Sequence, residues 1–464
     1  MADKRIASGV PGLDPVLHGG MTPQQVYLIV GAVGAGKTVL ALQWLREGLQ
    51  RGDRCLFITL AEHPEQIRRN AAGFGWDLTG LDMVNLTTDL TAGAGDFAEY
   101  RVFPPSEVES TNLWQSILQA VETHRPQCLV IDSVNQLRYL ATDVYHFRKH
   151  ILALVNFLNR KGCTTMMTCE PSMLEQEASL ALAADAVISL HLGVSENRVI
   201  GVRSLQVQKY RGSDFISGFH PMRITGEGIV LYPHLVEEPP VGELPAGVLL
   251  SGLPGLDELL EGGLETGSST ILTGPSGVGK SSLGMQFLAT AGQAGKPGVL
   301  YTFEETAGSI RRRSRGLQIP VDALLDRGVL RIVPVNPMQF YPDEFLARLR
   351  AAVEEDGVQV VLLDSLRGYQ LAMEEFGSLV AHVQNMVTYC RRQGVTLLVT
   401  NEIEHLVGDV TLTEIGVSYI FDNVILMRYA ETQGRITHVI SCLKKRMGPA
   451  NNELREFILS GSGL

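Results

Sequence analysis

Gly31–Thr38 is GAVGAGKT and Gly274–Ser281 is GPSGVGKS, and these two stretches decide how the chain is built. Both fit G-x-x-x-x-G-K-[ST], a loop that cradles phosphates. Glycines let such a loop curl until its N–H groups face phosphate oxygens. The first cradle is Gly31, Ala32, Val33, Gly34, Ala35 and Gly36, and the second is Gly274, Pro275, Ser276, Gly277, Val278 and Gly279. Lys37 and Lys280 follow, where a lysine reaches the β- and γ-phosphates, and the hydroxyls of Thr38 and Ser281 come next, where they ligate Mg²⁺. ATP and Mg²⁺ are therefore the expected ligands. A glycine-rich turn without a ligand is the competing reading. It fails because each loop follows an apolar run and opens a helical pattern, twice over.

The similarity extends beyond the loops. Ser8–Gly20 is SGVPGLDPVLHGG and Ser251–Gly263 is SGLPGLDELLEGG, at the same 243-residue offset as the phosphate loops and as Glu62 and Glu305. Asp132 and Asp364 keep the order at an offset of 232, so the first copy carries about eleven extra residues, most simply as a longer loop around Thr91–Pro105. Self-similarity on this scale means tandem domains. Pro233–Gly247, PHLVEEPPVGELPAG, has four prolines, three glutamates and no apolar period, which suits an extended connector. The reading is a first domain over 1–236, a linker over 237–247 and a second domain over 248–464.

Composition narrows the partners. The net charge of −11 argues against a whole-surface affinity for nucleic acid or acidic lipid, and an apolar fraction of 45% is enough for large buried sheets. No apolar run approaches the roughly 18 residues that span a bilayer. The opening MADKRIASG has no signal-peptide apolar region, so a cytoplasmic protein is expected. The six cysteines include no C-x-x-C pair and several sit in strand patterns, consistent with buried thiols in a reducing compartment.

Short apolar runs alternate with longer amphipathic ones. QVYLIV, CLFITL, CLVID and TTMMT in the first half recur as SSTILT, VLYTF, VVLLD and TLLVT in the second. Continuous apolar strands separated by helices predict an α/β fold with a mostly parallel sheet, and ligands bind beyond the carboxyl ends of such strands. The phosphate loops, Glu62, Glu305, Asp132 and Asp364 all fall at those ends. Asp132 and Asp364 can hold Mg²⁺ through a water; capping the next turn is the alternative. Glu62 and Glu305 are candidate bases for the attacking water or hydroxyl. The preceding position is Ala61 in one copy and Glu304 in the other, so Glu304 joins the candidates and the second site is expected to be tuned differently.

Two basic clusters come late in each copy: Lys209 and Arg211 in LQVQKYRG, and Lys444, Lys445 and Arg446 in CLKKRMG. They read either as solvated faces or as fingers toward a neighbouring subunit's nucleotide. Arg311, Arg312, Arg313 and Arg315 follow Glu305 on a predicted helix, where a surface or subunit-contact role is expected.

Together, the tandem copies, the SG[VL]PGLD openings, the FITLAE and YTFEE strand ends, the IDS and LDS strands and the K-x-R clusters resemble the KaiC family, the double-domain branch of the RecA-like ATPases. The likeness covers essentially the whole chain. It implies two tandem RecA-like P-loop NTPase domains and a homohexamer of two stacked rings, with ATP between subunits. One subunit would supply Lys37 and Thr38, or Lys280 and Ser281, and its neighbour Lys209 and Arg211, or Lys444 and Arg446. In that family the second ring phosphorylates itself. Here Ser418 falls on the serine position, Tyr419 stands where a threonine is expected, and Thr413 matches an upstream threonine.

The expected function is thus an ATP-hydrolysing protein of signalling or clock-like regulation, with serine autokinase activity in the second domain and a regulatory protein as a further partner. Two other classes stay open: a RecA-like nucleic-acid motor or recombination accessory, and a nucleotide-gated scaffold with little turnover.

Overall fold

The computed structural model describes residues 5–86, 108–139, 143–195, 201–235, 237, 246–373, 376–403, 417–432, 434–448, 451 and 453–464. The chain divides into two compact units, Met1–Leu235 and Val236–Leu464.

All eight apolar runs are strands. In the first unit they are β1 (Val26–Gly31), β2 (Cys55–Thr59), β4 (Cys128–Asp132) and β5 (Thr164–Cys169), joined by β3 (Asp82–Asn85), β6 (Ala186–Val194), β7 (Gly201–Tyr210), β8 (His220–Thr225) and β9 (Gly228–Leu231). They form one sheet in the order β3-β2-β4-β5-β1-β6-β7-β8-β9. The six strands from β3 to β6 run parallel, and the rest are antiparallel.

The second unit begins with a two-stranded sheet of β10 (Val248–Leu249) and β11 (Leu264–Glu265). Its main sheet contains β12 (Ser269–Gly274), β13 (Gly298–Thr302), β14 (Leu330–Pro334), β15 (Val360–Asp364), β16 (Thr396–Glu402), β17 (Asn423–Thr432), β18 (Arg435–Lys445) and β19 (Arg455–Phe457). Their order, β14-β13-β15-β16-β12-β17-β18-β19, repeats that of the first unit through its eighth strand. Equivalent residues share a register: Thr59 pairs with Asp132, and Thr302 with Asp364.

Alternation along the central strands explains why they are apolar throughout. Tyr27 and Ile29 face one core, and Val26, Leu28 and Val30 face another on the opposite side of the sheet. In the second unit Val299 and Tyr301 face one core, and Leu300 the other. Helices cover both faces, so neither side of these strands meets water. The repeated opening motif is tied in the same way twice: the Ser8 N–H donates to Asp14 Oδ1 at 2.9 Å, and the Ser251 N–H to Asp257 Oδ1 at 2.7 Å.

Candidate functional site

Each phosphate loop leaves the central strand of its sheet and opens a helix, Lys37–Gln50 or Lys280–Gln293. The helix N-caps, Gly36 and Gly279, have φ of 107° and 106°, a conformation that a Cβ disfavours. A side chain at Gly31 or Gly274 would collide with the carbonyl of Leu190 or Met427 on the adjoining strand. The backbone therefore dictates glycine where the motif has it.

The lysines lie along their loops. Lys37 Nζ donates to the carbonyls of Gly31 (2.8 Å) and Ala32 (3.0 Å), and Lys280 Nζ to those of Gly274 (2.8 Å) and Pro275 (2.7 Å). Burial pulls the Lys280 ammonium below the ordinary lysine range. Thr38 Oγ1 donates to Asp132 Oδ2 at 2.7 Å, and Thr168 holds the other carboxylate oxygen. Asp364 accepts from Thr400 and Ser281 in the same way; burial pushes its carboxyl above the usual range, against those hydrogen bonds. In the second unit a cavity of about 610 Å³ is lined by Lys280, Ser281, Glu304, Glu305 and Asp364, together with Arg313. A glycine cradle, a hydroxyl–aspartate pair and a lysine within one cleft fit a Mg²⁺-nucleotide.

The strand-end glutamates share a turn but not an environment. Thr59 Oγ1 accepts from the Glu62 N–H (3.1 Å) and donates to the Glu62 carbonyl (2.6 Å); Thr302 does the same for Glu305, at 3.2 Å each. Glu62 Oε2 is buried without a hydrogen-bond partner among the described residues, and burial, then the charge of Asp132, raises the pKa of its carboxyl. Glu305 instead forms an ion pair with Arg313, and Glu304 Oε1 accepts from Ser365 Oγ at 2.7 Å. Ala61 and Asn70 stand at the corresponding positions of the first copy. Arg313, expected from the sequence to serve as a surface or subunit-contact residue, lines the second cavity through its ion pair with Glu305. Its neighbours Arg311 and Arg315 pair with Asp322.

The late basic clusters sit at the other end of each sheet. Asp185 Oδ2 accepts from the N–H of Val26, the first residue of β1, and Arg211 lies 3.7 Å from Asp185. Lys209 Nζ donates to the carbonyls of Ala181 (2.8 Å), Leu182 (3.2 Å) and Ala184 (2.6 Å). The second unit repeats this. Asp422 Oδ2 accepts from the N–H of Ser269, which begins β12, and Arg446 lies 3.4 Å from Asp422. Lys444 Nζ donates to the carbonyls of Ser418 (3.4 Å), Tyr419 (3.4 Å) and Phe421 (2.7 Å). The side chains of Leu182 and Tyr419 occupy matching places beside these lysines and are 69% and 62% exposed. Thr413 lies outside the described residues.

Thr168, Thr400, Glu402 and Arg313 escaped the motif reading. The first three carried a signal, because Thr168 and Glu170 reappear as Thr400 and Glu402 at the offset of Asp132 and Asp364. Arg313 carried the opposite signal, a difference between otherwise matching copies. Among the described residues no group of His, Cys, Asp and Glu forms a metal cluster, and no helix is long and apolar enough to cross a membrane.

Two parallel-dominated sheets, each with a phosphate loop at its centre, define a protein of two tandem RecA-like P-loop NTPase domains. The family described as "ATPase: KaiC" matches residues 6–236 and again 249–464, and the chain belongs to that family. It is 27% identical to the circadian clock oscillator protein KaiC of Prochlorococcus marinus, over 100% of this chain and 91% of that one. It is 26% identical to the circadian clock protein KaiC3 of Synechocystis sp., over 99% and 91% of the two chains. With the oscillator protein KaiC of Acaryochloris marina the figures are 27%, 99% and 88%. Membership supports nucleotide binding and ATPase activity at the level of the family.

Proposed function

We propose that the chain binds ATP with Mg²⁺ at the carboxyl end of each sheet, hydrolyses it, and works as a homohexamer of two stacked rings whose neighbouring subunits share each nucleotide. The observation that carries this reading is the position of Lys209, Arg211, Lys444 and Arg446. They gather at the amino ends of β1 and β12, while the phosphate loops leave the carboxyl ends. A strand of that length spans roughly 17 Å. A cation so placed meets a nucleotide only when another copy of the domain holds it.

Mg²⁺ held by Thr38 and Asp132, or by Ser281 and Asp364, would neutralise charge on the phosphate oxygens. Lys37 and Lys280 would exchange loop carbonyls for β- and γ-phosphate oxygens. Glu62 would accept the proton of the attacking water in the first unit. Its buried, unpartnered oxygen and raised proton affinity suit that task. Glu304 and Glu305 offer two carboxylates in the second. There the chain would also phosphorylate Ser418 of a neighbouring subunit, because Ser418 and Tyr419 share an edge with Lys444 and Arg446. The relatives' names, as circadian clock proteins, support a role in signalling or clock-like regulation; a regulatory protein partner and a cytoplasmic location complete the proposal.

Mixing variants tests the shared site. Lys37→Ala and Arg211→Ala each lower first-unit hydrolysis, and co-assembly of the two restores part of it, since some junctions then combine an intact lysine with an intact arginine. A fully active monomer, or no recovery in mixed hexamers, overturns the reading.

A further inference from the structure

The second cavity has an unequal charge balance. Glu304, Glu305, Asp364 and Glu402 line it, and the only side-chain cations beside them, among the described residues, are Lys280 and Arg313. A triphosphate entering four carboxylates needs every cation within reach. Lys280 belongs to the phosphate loop. Arg313 does not, and nothing in the motif explains it.

Arg313 comes from the helix Ala307–Gly316 that follows the glutamate pair. It sits two turns beyond Glu305, and its guanidinium returns along the helix to meet that carboxylate, as long helical side chains do. Both side chains remain about one third exposed, 31% and 32%, so the pair opens onto the cavity rather than being sealed in the core. The first copy has Asn70 at the position of Arg313, and there Glu62 forms no ion pair among the described residues.

We propose that Arg313 is a second-site sensor of the terminal phosphate, which leaves Glu305 for the γ-phosphate when a nucleoside triphosphate binds and so releases Glu305 as a free carboxylate. A guanidinium matches phosphate as well as it matches carboxylate, and it forks to two oxygens of either. A nucleoside diphosphate offers no terminal phosphate there and leaves the ion pair in place. The second unit then carries a triphosphate-dependent carboxylate that the first unit lacks.

The inference rests on nucleotide binding at the second loop, and one experiment separates the two. Equilibrium binding of Mg²⁺ with ATPγS, and of Mg²⁺ with ADP, is measured by calorimetry on the full-length chain carrying Lys37→Ala to silence the first loop. Arg313→Asn, which imports the residue of the first copy, is expected to weaken ATPγS about tenfold to a hundredfold, the worth of a charge-assisted hydrogen bond, and to leave ADP unchanged. Retained ADP binding shows that the variant is folded.

Removal of Arg313 could also act indirectly, by exposing phosphate to the charge of Glu305, so Glu305→Gln completes a double-mutant cycle. Glu305→Gln alone is expected to tighten ATPγS by freeing Arg313, and Arg313→Asn to lose a larger factor in that background, where no ion pair has to be broken first. Full restoration of ATPγS affinity in the double variant, or an equal loss for ADP and ATPγS, overturns the sensor. Absence of any nucleotide binding before Arg313 is changed overturns the second-site reading and the sensor with it.

Discussion

Thr38 Oγ1 donates to Asp132 Oδ2 at 2.7 Å, and that bond joins the first turn after the phosphate loop to the end of a strand two places away in the sheet. Thr168 holds the second oxygen of the same carboxylate. Both oxygens are thus aimed from the protein side, and the second unit copies the arrangement with Ser281, Asp364 and Thr400. A site whose donors are fixed in advance loses little in reorganisation when charge arrives.

Thr38→Ala is expected to lower first-unit hydrolysis by about tenfold to a hundredfold, the range for a hydrogen bond to a charged group. Asp132→Asn should do at least as much, and raising Mg²⁺ should partly rescue it. Phosphate release titrated against Mg²⁺, with Lys280→Ala silencing the second unit, is the measurement. Unchanged Mg²⁺ dependence in both variants would remove Asp132 from the metal site.

The environment of Glu62 sets a pH limb. Burial and the nearby Asp132 raise its pKa, and only the carboxylate can take a proton. Hydrolysis in the first unit should therefore fall as pH drops through that raised value, at a higher pH than an ordinary glutamate would impose. The stability effect runs the other way. The fold favours the neutral acid, so this group contributes most below its unfolded-state pKa and the contribution is lost as pH rises through the folded value. Glu62→Gln should abolish the acid limb along with most of the rate, while ATP still binds. A parental rate in Glu62→Gln would assign the base elsewhere.

Lys209 and Arg211 are expected to differ in how much each also contributes to the stability of its own fold. Lys209 Nζ serves three backbone carbonyls, so Lys209→Ala should cost about 1–3 kcal/mol in thermal or denaturant unfolding. Arg211 is half exposed beside Asp185, and its removal should cost about 0–1 kcal/mol. Hydrolysis should nevertheless fall by about 10³–10⁵ in Arg211→Ala if it meets a neighbour's nucleotide. Equal stability losses with equal rates would make both residues structural.

Ser418 is expected to gain phosphate on incubation with Mg²⁺ and ATP, read by phosphopeptide mass spectrometry. Neither Ser418 nor Tyr419 lines the cavity of its own unit, so transfer should require the assembled protein and disappear on dilution to monomers. Lys280→Ala and Glu304→Gln should each abolish it, the first by removing a phosphate contact and the second by removing a base. Phosphate at Tyr419 in place of Ser418 would show that the exposed ring, and not the serine, reaches the donor.

Much of this was legible from residues alone, for identifiable reasons. Gly31, Gly36, Lys37 and Thr38 act through backbone conformation and a fixed reach, so a short motif records them. The eight central strands are buried on both faces, so each appears as an unbroken apolar run. Duplication supplied the rest, since a constant offset aligned Glu62 with Glu305 and Asp132 with Asp364 without any knowledge of the sheet.

What stayed hidden depends on contacts between segments far apart in the chain. Lys209 and Arg211 belong to the amino end of their sheet because β7 runs antiparallel to β6 and returns them there, and strand direction is a property of pairing rather than of composition. Arg313 is a cavity residue because its helix turns it back toward Glu305, whereas its neighbours Arg311 and Arg315 turn to Asp322. In the sequence those arginines are a single basic cluster. The sequence by itself determined two phosphate loops on two parallel sheets, because glycine geometry and double-sided burial are local demands. Only the tertiary structure decided which charges face which, because an ion pair forms through space and its partners carry no mark of each other along the chain.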